Sequence, residues 1–369
     1  MANASSDKDF DQLRLIRSPN IGPVTYRQLL ARFGSATAAL EALPDLAARG
    51  GKGKFIVANA SDIEREIAAA LRAGARYVFL GDATYPALLA ELDNAPAAFT
   101  YRGDLELASR QVVAIVGARN ASAGACRFAR SLAVELGREG LIVASGLARG
   151  IDTAAHVGSL GGGTIAVIAG GVDVAYPPEN LALQDEIAEK GLLIAEQPPG
   201  IEPRARHFPY RNRIIAGLAL GTVVVEAAPR SGSLITARLA TEAGREVMAI
   251  PGSPLDPRAR GCNQLIREGA TLVQDASEIA ELIRPIDERA SRKVAPTLFE
   301  VNAAAPLIAL TGDADRQRII DLLGMSHVSV DELVRQSGFH PPAVQMVLLE
   351  LELAGRLERG AGAKVRLVA

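Results

Sequence analysis

The feature that most constrains the fold is a series of short apolar runs, each followed by a glycine-rich or polar turn, between residues 75 and 284. The runs are rich in β-branched residues and are continuous rather than alternating, which is typical of strands buried on both faces of a parallel sheet. They cover residues 112–116, 141–144, 164–169, 192–195, 222–225, 247–250 and 271–273. Helical periodicity around 122–138, 179–190, 231–243 and 277–284 separates them. The pattern predicts an α/β, doubly wound parallel sheet.

The sequence patterns before residue 75 and after residue 284 predict other kinds of structure. Residues 1–74 have apolar side chains at helical spacing, interrupted by a Pro/Gly-containing turn at 19–24, and predict an all-helical domain. Residues 285–312 contain several prolines and predict a linker. Residues 313–369 predict three helices followed by a glycine-tipped hairpin, the order of a winged helix, with Ser329 as a helix cap.

Composition excludes several classes of protein. The formal charge is −2, from 40 Lys+Arg and 42 Asp+Glu, which is not that of a wholly basic nucleic-acid coat. No apolar run reaches the ~18 residues that a membrane helix needs, and the polar first residues do not resemble a signal peptide. Cys126 and Cys262 lack metal-ligand spacing. The chain is therefore expected in the cytoplasm, without a membrane partner and without a bound metal.

Glycines, hydroxyls and arginines follow the predicted strands. Ligands of open α/β sheets bind outside the carboxyl ends of the strands, where backbone N–H groups and guanidiniums together bind anions. This edge predicts a phosphate site, although glycines also simply make tight turns. Arg119, Arg149 and Arg230 each follow a different strand. The loop after the first strand does not fit GxGxxG, and no GxxxxGK[ST] occurs, so neither NAD nor P-loop ATP binding is predicted, and no cofactor is expected.

The stretch 204–215 contains four arginines, a histidine and two aromatic residues, with no acid. Cations that track phosphates beside rings that stack on bases are what single-stranded nucleic acid requires. The alternative is a solvated basic helix start, with Phe208 and Tyr210 packed in the core. This stretch by itself leaves both interpretations open.

Several motifs in order along the chain carry a family resemblance. They are VAIVGAR at 113–119, GLARGID at 146–152, FPYRNRIIAG at 208–217, SGSLITA at 231–237 and GCNQLI at 261–266. Together they resemble the DNA-processing protein A family (DprA, also called Smf). The resemblance implies an extended Rossmann-like domain that binds single-stranded DNA. It also implies a non-enzymatic, homodimeric mediator of natural transformation that protects incoming strands and loads RecA recombinase.

The resemblance also assigns residues. Arg119 stands at the family's phosphate-contacting arginine, and the Arg-Asn-Arg motif is at 211–213, with Phe208 before it as a stacking residue. Ala118, Ala195, Gln197 and Ala219 depart from the family pattern, which puts some polar and stacking contacts in doubt. We take Leu265 and Ile266 as the dimer interface. The predicted DNA-binding set is Gly117, Arg119, Gly146, Arg149, Phe208, Arg211, Asn212, Arg213, Ser231, Gly232 and Ser233.

Three further interpretations concern the two flanking domains and His156. The turn at 20–24 resembles a helix-hairpin-helix turn, for which either a phosphate contact or a packing role is open. The would-be recognition helix, 341–352, has no cation, so the winged helix is expected to contact protein or regulate rather than to hold duplex DNA. His156 lies one helical turn after Asp152, and a structural Asp–His contact is expected there.

An enzyme is the alternative function. Residues 223–226 and 229–233 faintly resemble nucleotide phosphoribohydrolases of the lysine-decarboxylase-like group. Those enzymes need a carboxylate near the position of Thr236, whose hydroxyl cannot replace it. Glu226 remains as a candidate carboxylate, and release of base from nucleoside monophosphates distinguishes the two functions.

Overall fold

The computed structural model describes residues 2–51, 55–293, 312–360 and 362–368, with side chains at 7–51, 55–284, 312–360 and 362–368. The chain divides into two compact units. Met1–Glu64 and Pro296–Ala369 form one unit, and Arg65–Ala295 form the other. The first and last predicted domains, 1–74 and 313–369, therefore fall largely in the same unit.

The elements of the described residues are numbered in chain order. The helices are α1 (Ala2–Arg17), α2 (Pro23–Phe33), α3 (Ala36–Arg49), α4 (Ala60–Arg72), α5 (Ala87–Ala90), α6 (Ala123–Arg138), α7 (Ile151–Ser159), α8 (Leu181–Lys190), α9 (His207–Leu218), α10 (Ser233–Glu242), α11 (Arg260–Arg267), α12 (Ala276–Lys293), α13 (Asp313–Asp321), α14 (Val330–Ser337) and α15 (Pro341–Leu353). The strands are β1 (Arg76–Phe79), β2 (Ala98–Gly103), β3 (Val112–Val116), β4 (Ile142–Ser145), β5 (Thr164–Gly171), β6 (Leu192–Gln197), β7 (Gly221–Val224), β8 (Glu246–Ala249), β9 (Thr271–Leu272), β10 (Val328–Ser329), β11 (Leu357–Gly360) and β12 (Lys364–Leu367).

The larger unit is built on a nine-stranded sheet of order β1-β2-β6-β5-β4-β3-β7-β8-β9. Neighbours from β6 to β9 pair in parallel, while β2 pairs antiparallel with both β1 and β6. The chain runs outward from β3 to β6 and then returns to place β7 on the other side of β3. Strand order therefore reverses between β3 and β7, which is the switch point of a doubly wound sheet. The predicted fold class is confirmed.

Both faces of the sheet are covered, as the continuous apolar runs predict. Along β3, Val112 and Ala114 belong to one buried cluster, whereas Val113 and Ile115 belong to another. Successive side chains of a strand point to opposite faces, so the two clusters lie on the two sides of the sheet. Fully burying each Val or Ile contributes about 1.5–3 kcal/mol, which makes this strand a central stabilising element.

The sequence analysis missed the antiparallel strands β1 and β2. Each mixes buried with exposed residues, so neither shows the continuous apolar run that reveals the parallel strands. At the other end of the unit, α12 continues to Lys293 and makes the first part of the predicted linker helical. The rest of that linker, 294–311, lies outside the described residues.

The smaller unit contains the N-terminal helices and the winged helix. Helix α2 begins at Pro23 and ends at Phe33, and it is capped by Gly34, whose φ of 74° is the left-handed conformation that favours glycine. In the winged helix, α13, α14 and α15 accompany a three-stranded sheet of order β10-β12-β11, whose strand β10 lies between α13 and α14 while β11 and β12 form the predicted hairpin after α15. Ser329 caps α14 by accepting a hydrogen bond from the Glu332 N–H, as predicted. Within the described part of the chain, no helix has the length and apolar character needed to cross a membrane.

Candidate nucleic-acid interface

A pocket of about 280 Å³ lies beside the carboxyl ends of β3, β4 and β5. Three guanidiniums from three different segments line it, and no carboxylate of the described residues does. The lining residues are Arg119, Asn120, Gly146, Ala148, Arg149, Ala169, Tyr176, Pro177, Phe208 and Arg211. An acid-free concave site with several fixed cations is suited to an anion.

Arg211 is the central cation of this pocket. Its side chain projects from α9, only 6% of it is exposed, and its Nε has no hydrogen-bond partner among the described residues. Burial lowers the pKa of the guanidinium to about 10, so it stays charged at neutral pH. Burying a charged donor without a partner is costly, and an anion in the pocket would supply the missing hydrogen-bond acceptor.

Gly146 leaves the space that Arg211 occupies. A Cβ at this position would lie 1.5 Å from Nη1 of Arg211 and 2.7 Å from Oδ2 of Asp152. Asp152 is itself 7% exposed, and its carboxylate accepts a hydrogen bond of 3.3 Å from the Ala148 N–H. Burial raises the pKa of this carboxyl, and the neighbouring charge of Arg211 opposes that shift. Gly146 therefore serves the pocket by admitting a guanidinium.

An aromatic wall stands beside the cations. The guanidinium carbon of the exposed Arg119 lies 4.8 Å from the centre of the Phe208 ring. The Tyr176 ring centre is 5.6 Å from that of Phe208, with the planes inclined by 58°. Such rings offer faces on which bases stack, and an arginine over a ring is a favourable cation–π contact.

The loop after β4 is held rigidly. Asn180 donates hydrogen bonds from Nδ2 to the Leu147 carbonyl at 3.0 Å and to Oγ1 of Thr153 at 2.9 Å. Leu147 has a φ of 54°, a conformation that costs about 1–3 kcal/mol outside glycine and is offset here by its fully buried side chain. At Gly150, a Cβ would lie 2.3 Å from the Ala118 carbonyl oxygen. This glycine therefore lets the loops after β3 and β4 approach each other.

Arg149 lies at the mouth of the pocket. Its guanidinium is exposed and forms an ion pair with Glu179, whose hydrogen bond raises the pKa of Arg149. Glu179 precedes α8 and does not line the pocket. Exposed pairs of this kind contribute little because water and salt screen them, so an incoming phosphate can compete with Glu179 for Arg149.

Other residues of the predicted set lie outside the pocket, and contact between them and DNA stays a prediction. A Cβ at Gly117 would meet Ile151, so this glycine serves packing, whereas at Gly232 nothing is within 4 Å. The hydroxyls of Ser231 and Ser233 lie 2.7 Å apart. The remaining predicted residues outside the lining are Asn212 and Arg213, and Arg230 is exposed away from it.

Helix geometry separates the two arginines of the Arg-Asn-Arg motif. Residues 208 and 211 are three apart and share a face of α9, whereas residue 213 points to another side. Arg213 is 5% exposed and forms an ion pair with Glu196 on β6. The structure therefore brings Phe208 and Arg211 to the pocket and gives Arg213 a partner elsewhere.

The sequence analysis missed Tyr176, Pro177 and Asn120 as pocket residues. Tyr176 is 46% exposed and lies in the loop that follows β5. An aromatic residue in a loop at the carboxyl edge of the sheet is a signal that could have indicated Tyr176. That loop is long, however, and the sequence does not show which part of it turns toward the pocket.

His156 is buried and structural. Its Nδ1 lies 2.7 Å from Oγ1 of Thr164, and burial lowers the pKa of the ring to about 3, so the ring is neutral at pH 7. The predicted partner, Asp152, instead accepts from the Ala148 backbone. Across the residues described here, no group of three or more His, Cys, Asp or Glu side chains could hold a metal ion.

Glu226 occupies the switch point between β3 and β7. Its carboxylate accepts hydrogen bonds from the Ser122 N–H at 2.9 Å and the Ser122 hydroxyl at 2.7 Å. Ser122 caps α6, so the protein's own carboxylate lies at the helix N-terminus where a Rossmann nucleotide would place its phosphate. The carboxylate on which the enzyme alternative depends is thus engaged in the fold.

A larger groove, of about 1260 Å³, lies beside α10, β8 and α11 and carries charges of both signs. Leu265 lines it, while Ile266 packs against the core below. Their role as a dimer interface stays a prediction.

Comparison with known proteins gives a consistent result. The chain matches the model of DNA recombination-mediator protein A over residues 76–284, a DprA-like N-terminal HHH domain over 6–69 and a DprA winged helix domain over 302–363. It is 48% identical over 200 residues to DNA processing protein DprA of Streptococcus pneumoniae, covering 54% of this chain and 71% of that protein. It is 38% identical over 293 residues to protein Smf of Escherichia coli, covering 77% and 75%.

Two solved structures are similar to the chain. The X-ray structure of DNA processing protein A from Streptococcus pneumoniae has a TM-score of 0.64 at 38% identity, covering 73% of this chain and 96% of that one. DNA processing protein A from Helicobacter pylori has a TM-score of 0.52 at 27% identity, covering 57% and 96%. The latter structure addresses the single-stranded DNA binding mode of that protein.

Proposed function

The chain belongs to the DNA recombination-mediator protein A family, and on this basis we propose that its pocket binds single-stranded DNA. In this proposal the protein acts in the cytoplasm as a recombination mediator of natural transformation. It covers incoming strands, protects them and loads RecA recombinase onto them. It works as a homodimer and catalyses no reaction.

One observation carries the proposal: among the residues that the structure describes, the buried guanidinium of Arg211 has no partner for its Nε, and no carboxylate lines its pocket. A phosphate diester supplies one negative charge and acceptor oxygens of the right kind. The aromatic wall beside it favours a nucleic acid over a free anion, because a base can stack there. Bases of a duplex are already stacked on each other, so the site favours a single strand.

The pocket residues then have distinct roles. Arg211 binds a phosphate at the floor, and Arg149 adds a second cation at the mouth. Phe208 and Tyr176 supply stacking surfaces, each worth about 1–3 kcal/mol per base. Arg119 covers Phe208 in the free protein and, in the proposed complex, contacts a phosphate while a base takes its place on the ring.

The engagement of Glu226 with Ser122 supports a binding protein over a phosphoribohydrolase. Incubation with nucleoside monophosphates should release no free base above the level of a heat-inactivated sample. Release of base that depends on Glu226 would favour the enzyme instead.

A titration of labelled oligo(dT) at two NaCl concentrations tests DNA binding. We expect wild-type protein to bind the single strand more tightly than a duplex of equal length, and Arg119→Ala to weaken binding and flatten its salt dependence. Unchanged affinity and slope in Arg119→Ala would remove the proposed site.

Loading of RecA needs a separate assay. RecA ATPase activity on single strands precoated with single-strand-binding protein should begin sooner when this protein is added. Sedimentation of wild type and Ile266→Arg measures the proposed dimer. If the lag before RecA ATPase activity is unchanged while DNA binding is intact, RecA loading is contradicted and DNA binding is not. A wild-type protein that is monomeric at all concentrations would contradict the dimer.

A further inference from the structure

Helix α15 occupies the place of a winged helix's recognition helix, yet it is apolar on two sides. Val344, Val347, Leu348 and Leu351 pack into the winged helix's own core. Met346, Leu349 and Leu353 form a second stripe and are 3%, 2% and 0% exposed. A helix that is apolar nearly all round is buried on both sides, so this second stripe has a partner of its own.

That partner is the N-terminal helical domain, since α15 packs against α3. The contact is close enough to involve backbone, because a Cβ at Gly50 would lie 2.0 Å from the Glu350 carbonyl oxygen. Gly50 has a φ of −72°, which any residue can adopt. Glycine is therefore required at this position because a side chain would not fit, and not because of the backbone conformation. Any larger residue at position 50 would push the two helices apart.

The helix-hairpin-helix turn takes part in the same interface. Asn20, at the turn, donates from Nδ2 to the Leu353 carbonyl at 3.0 Å, at the C-terminal end of α15. Gln28 on α2 donates to Oε1 of Gln345 at 3.1 Å and accepts from Nη2 of Arg359 at 3.3 Å. The interface is therefore made by α15 on one side and by α3, α2 and the turn before α2 on the other.

The charged side chains of α15 are also unfavourable for binding to nucleic acid. Glu350 is 1% exposed and forms an ion pair with Arg316 at 2.9 Å, and Glu352 forms one with Arg359 at 2.9 Å. Recognition helices approach phosphates and base edges with cations and amides, whereas these carboxylates would repel the duplex.

We infer that the outer face of α15, by which a winged helix would read duplex DNA, is the permanent docking surface for the chain's own N-terminal helical domain, namely α2, α3 and the turn before α2. The two ends of the chain thereby form one folded unit, and the outer face of α15 is not offered to duplex DNA. The backbone contact at Gly50 and the apolar stripe indicate a permanent interface rather than a lid.

Thiol labelling of the full chain tests this inference, in a Cys126→Ala background because Cys126 is half-buried. Met346→Cys reports on the docked face, Val347→Cys on the winged helix's own core, and Lys364→Cys on exposed surface. We expect Met346→Cys to react with N-ethylmaleimide at least about a hundredfold more slowly than Lys364→Cys, since it reacts only after local opening. Equal rates for these two variants would overturn the inference.

A second change separates undocking from unfolding. Adding Gly50→Val should raise the rate for Met346→Cys toward that of Lys364→Cys, while Val347→Cys stays slow. If Val347→Cys also becomes fast, Asn20→Ala with Gln28→Ala replaces Gly50→Val as the milder disruption. Rates for Met346→Cys that stay slow under both disruptions would overturn the assigned interface.

Duplex binding completes the test. The Gly50→Val chain should bind a labelled duplex no more tightly than its parent, because α15 has no cation to offer once it is exposed. A salt-sensitive gain of tenfold or more in duplex affinity would overturn the inference, since it would reveal a masked DNA reader.

Discussion

Arg211 and Arg213 lie two residues apart on α9, and the structure gives them opposite situations. Both have a buried nitrogen without a hydrogen-bond partner among the described residues, Nε in Arg211 and Nη1 in Arg213. Arg211 lines the pocket, whereas Arg213 lies outside it and forms an ion pair with Glu196. We therefore expect Arg211→Met to weaken binding of single-stranded DNA with little effect on stability. We expect Arg213→Met to do the reverse.

The magnitudes follow from these contacts. A hydrogen bond to a charged group contributes about 1.5–3 kcal/mol, so Arg211→Met should weaken binding roughly ten- to hundredfold. Loss of one phosphate contact on a single strand should reduce the slope of log K against log[salt] by about 0.7. Stability should change little, because the cost of burying the guanidinium disappears while the buried Asp152 loses its favourable neighbouring charge.

Arg213→Met leaves Glu196, which is 20% exposed, without its cation. Breaking a fully buried pair costs about 3–5 kcal/mol, and the partial exposure of Glu196 reduces this to about 2–3 kcal/mol. The salt slope of DNA binding should be unchanged, because Arg213 does not line the pocket.

The assay is fluorescence anisotropy of a labelled oligo(dT) at several NaCl concentrations, combined with urea unfolding of each variant. The reasoning would be refuted if Arg213→Met flattened the salt slope while Arg211→Met did not. It would also be refuted if Arg211→Met destabilised the fold by several kcal/mol and left DNA affinity intact, since Arg211 would then be a structural residue.

Three further predictions concern the same domain. Gly146→Ala places a methyl group 1.5 Å from Nη1 of Arg211, so the guanidinium must move. DNA affinity should therefore fall about as far as in Arg211→Met. Wild-type affinity in Gly146→Ala would contradict this close approach between Gly146 and Arg211. Tyr176→Ala should weaken binding by about 1–3 kcal/mol per stacked base without changing the salt slope, which the same titrations measure. Burial lowers the pKa of His156 from 6.5 to about 3, so the folded state disfavours protonation and stability is fully present only above pH 6.5. The free energy of unfolding should therefore fall by up to about 1.4 kcal/mol per pH unit as the pH drops from 6.5 toward 3. Urea unfolding at pH 7 and pH 5 measures this loss, and His156→Gln should lack the part that comes from His156.

Much of the fold was predictable because it depends on local pattern. The apolar runs of β3 to β8 identify strands covered on both faces, and the order of elements after residue 313 identifies the winged helix. The antiparallel strands β1 and β2 were not predictable, since their side chains are buried only where other segments cover them. The long α12 was shortened in the prediction because its last turns carry mixed polar residues.

The candidate site was predictable only in part. The carboxyl edge of a parallel sheet places Arg119, Gly146 and Arg149 near one another by topology alone. Tyr176 reaches the same pocket through a long loop, and the spacing of residues in the sequence does not show where that loop runs. The partners of individual charges also depend on packing: Asp152 lies beside Arg211, and Glu226 binds Ser122.

The sequence by itself determined the doubly wound sheet, the two flanking modules and the segments that supply cations, because hydrophobic periodicity and turn chemistry act over neighbouring residues. Only the tertiary structure decided which cation is left without a partner and which is paired. It also decided that the apolar outer face of α15 packs against the N-terminal helical domain. Burial and pairing depend on residues far apart in the chain, and their energies exist only once those residues meet.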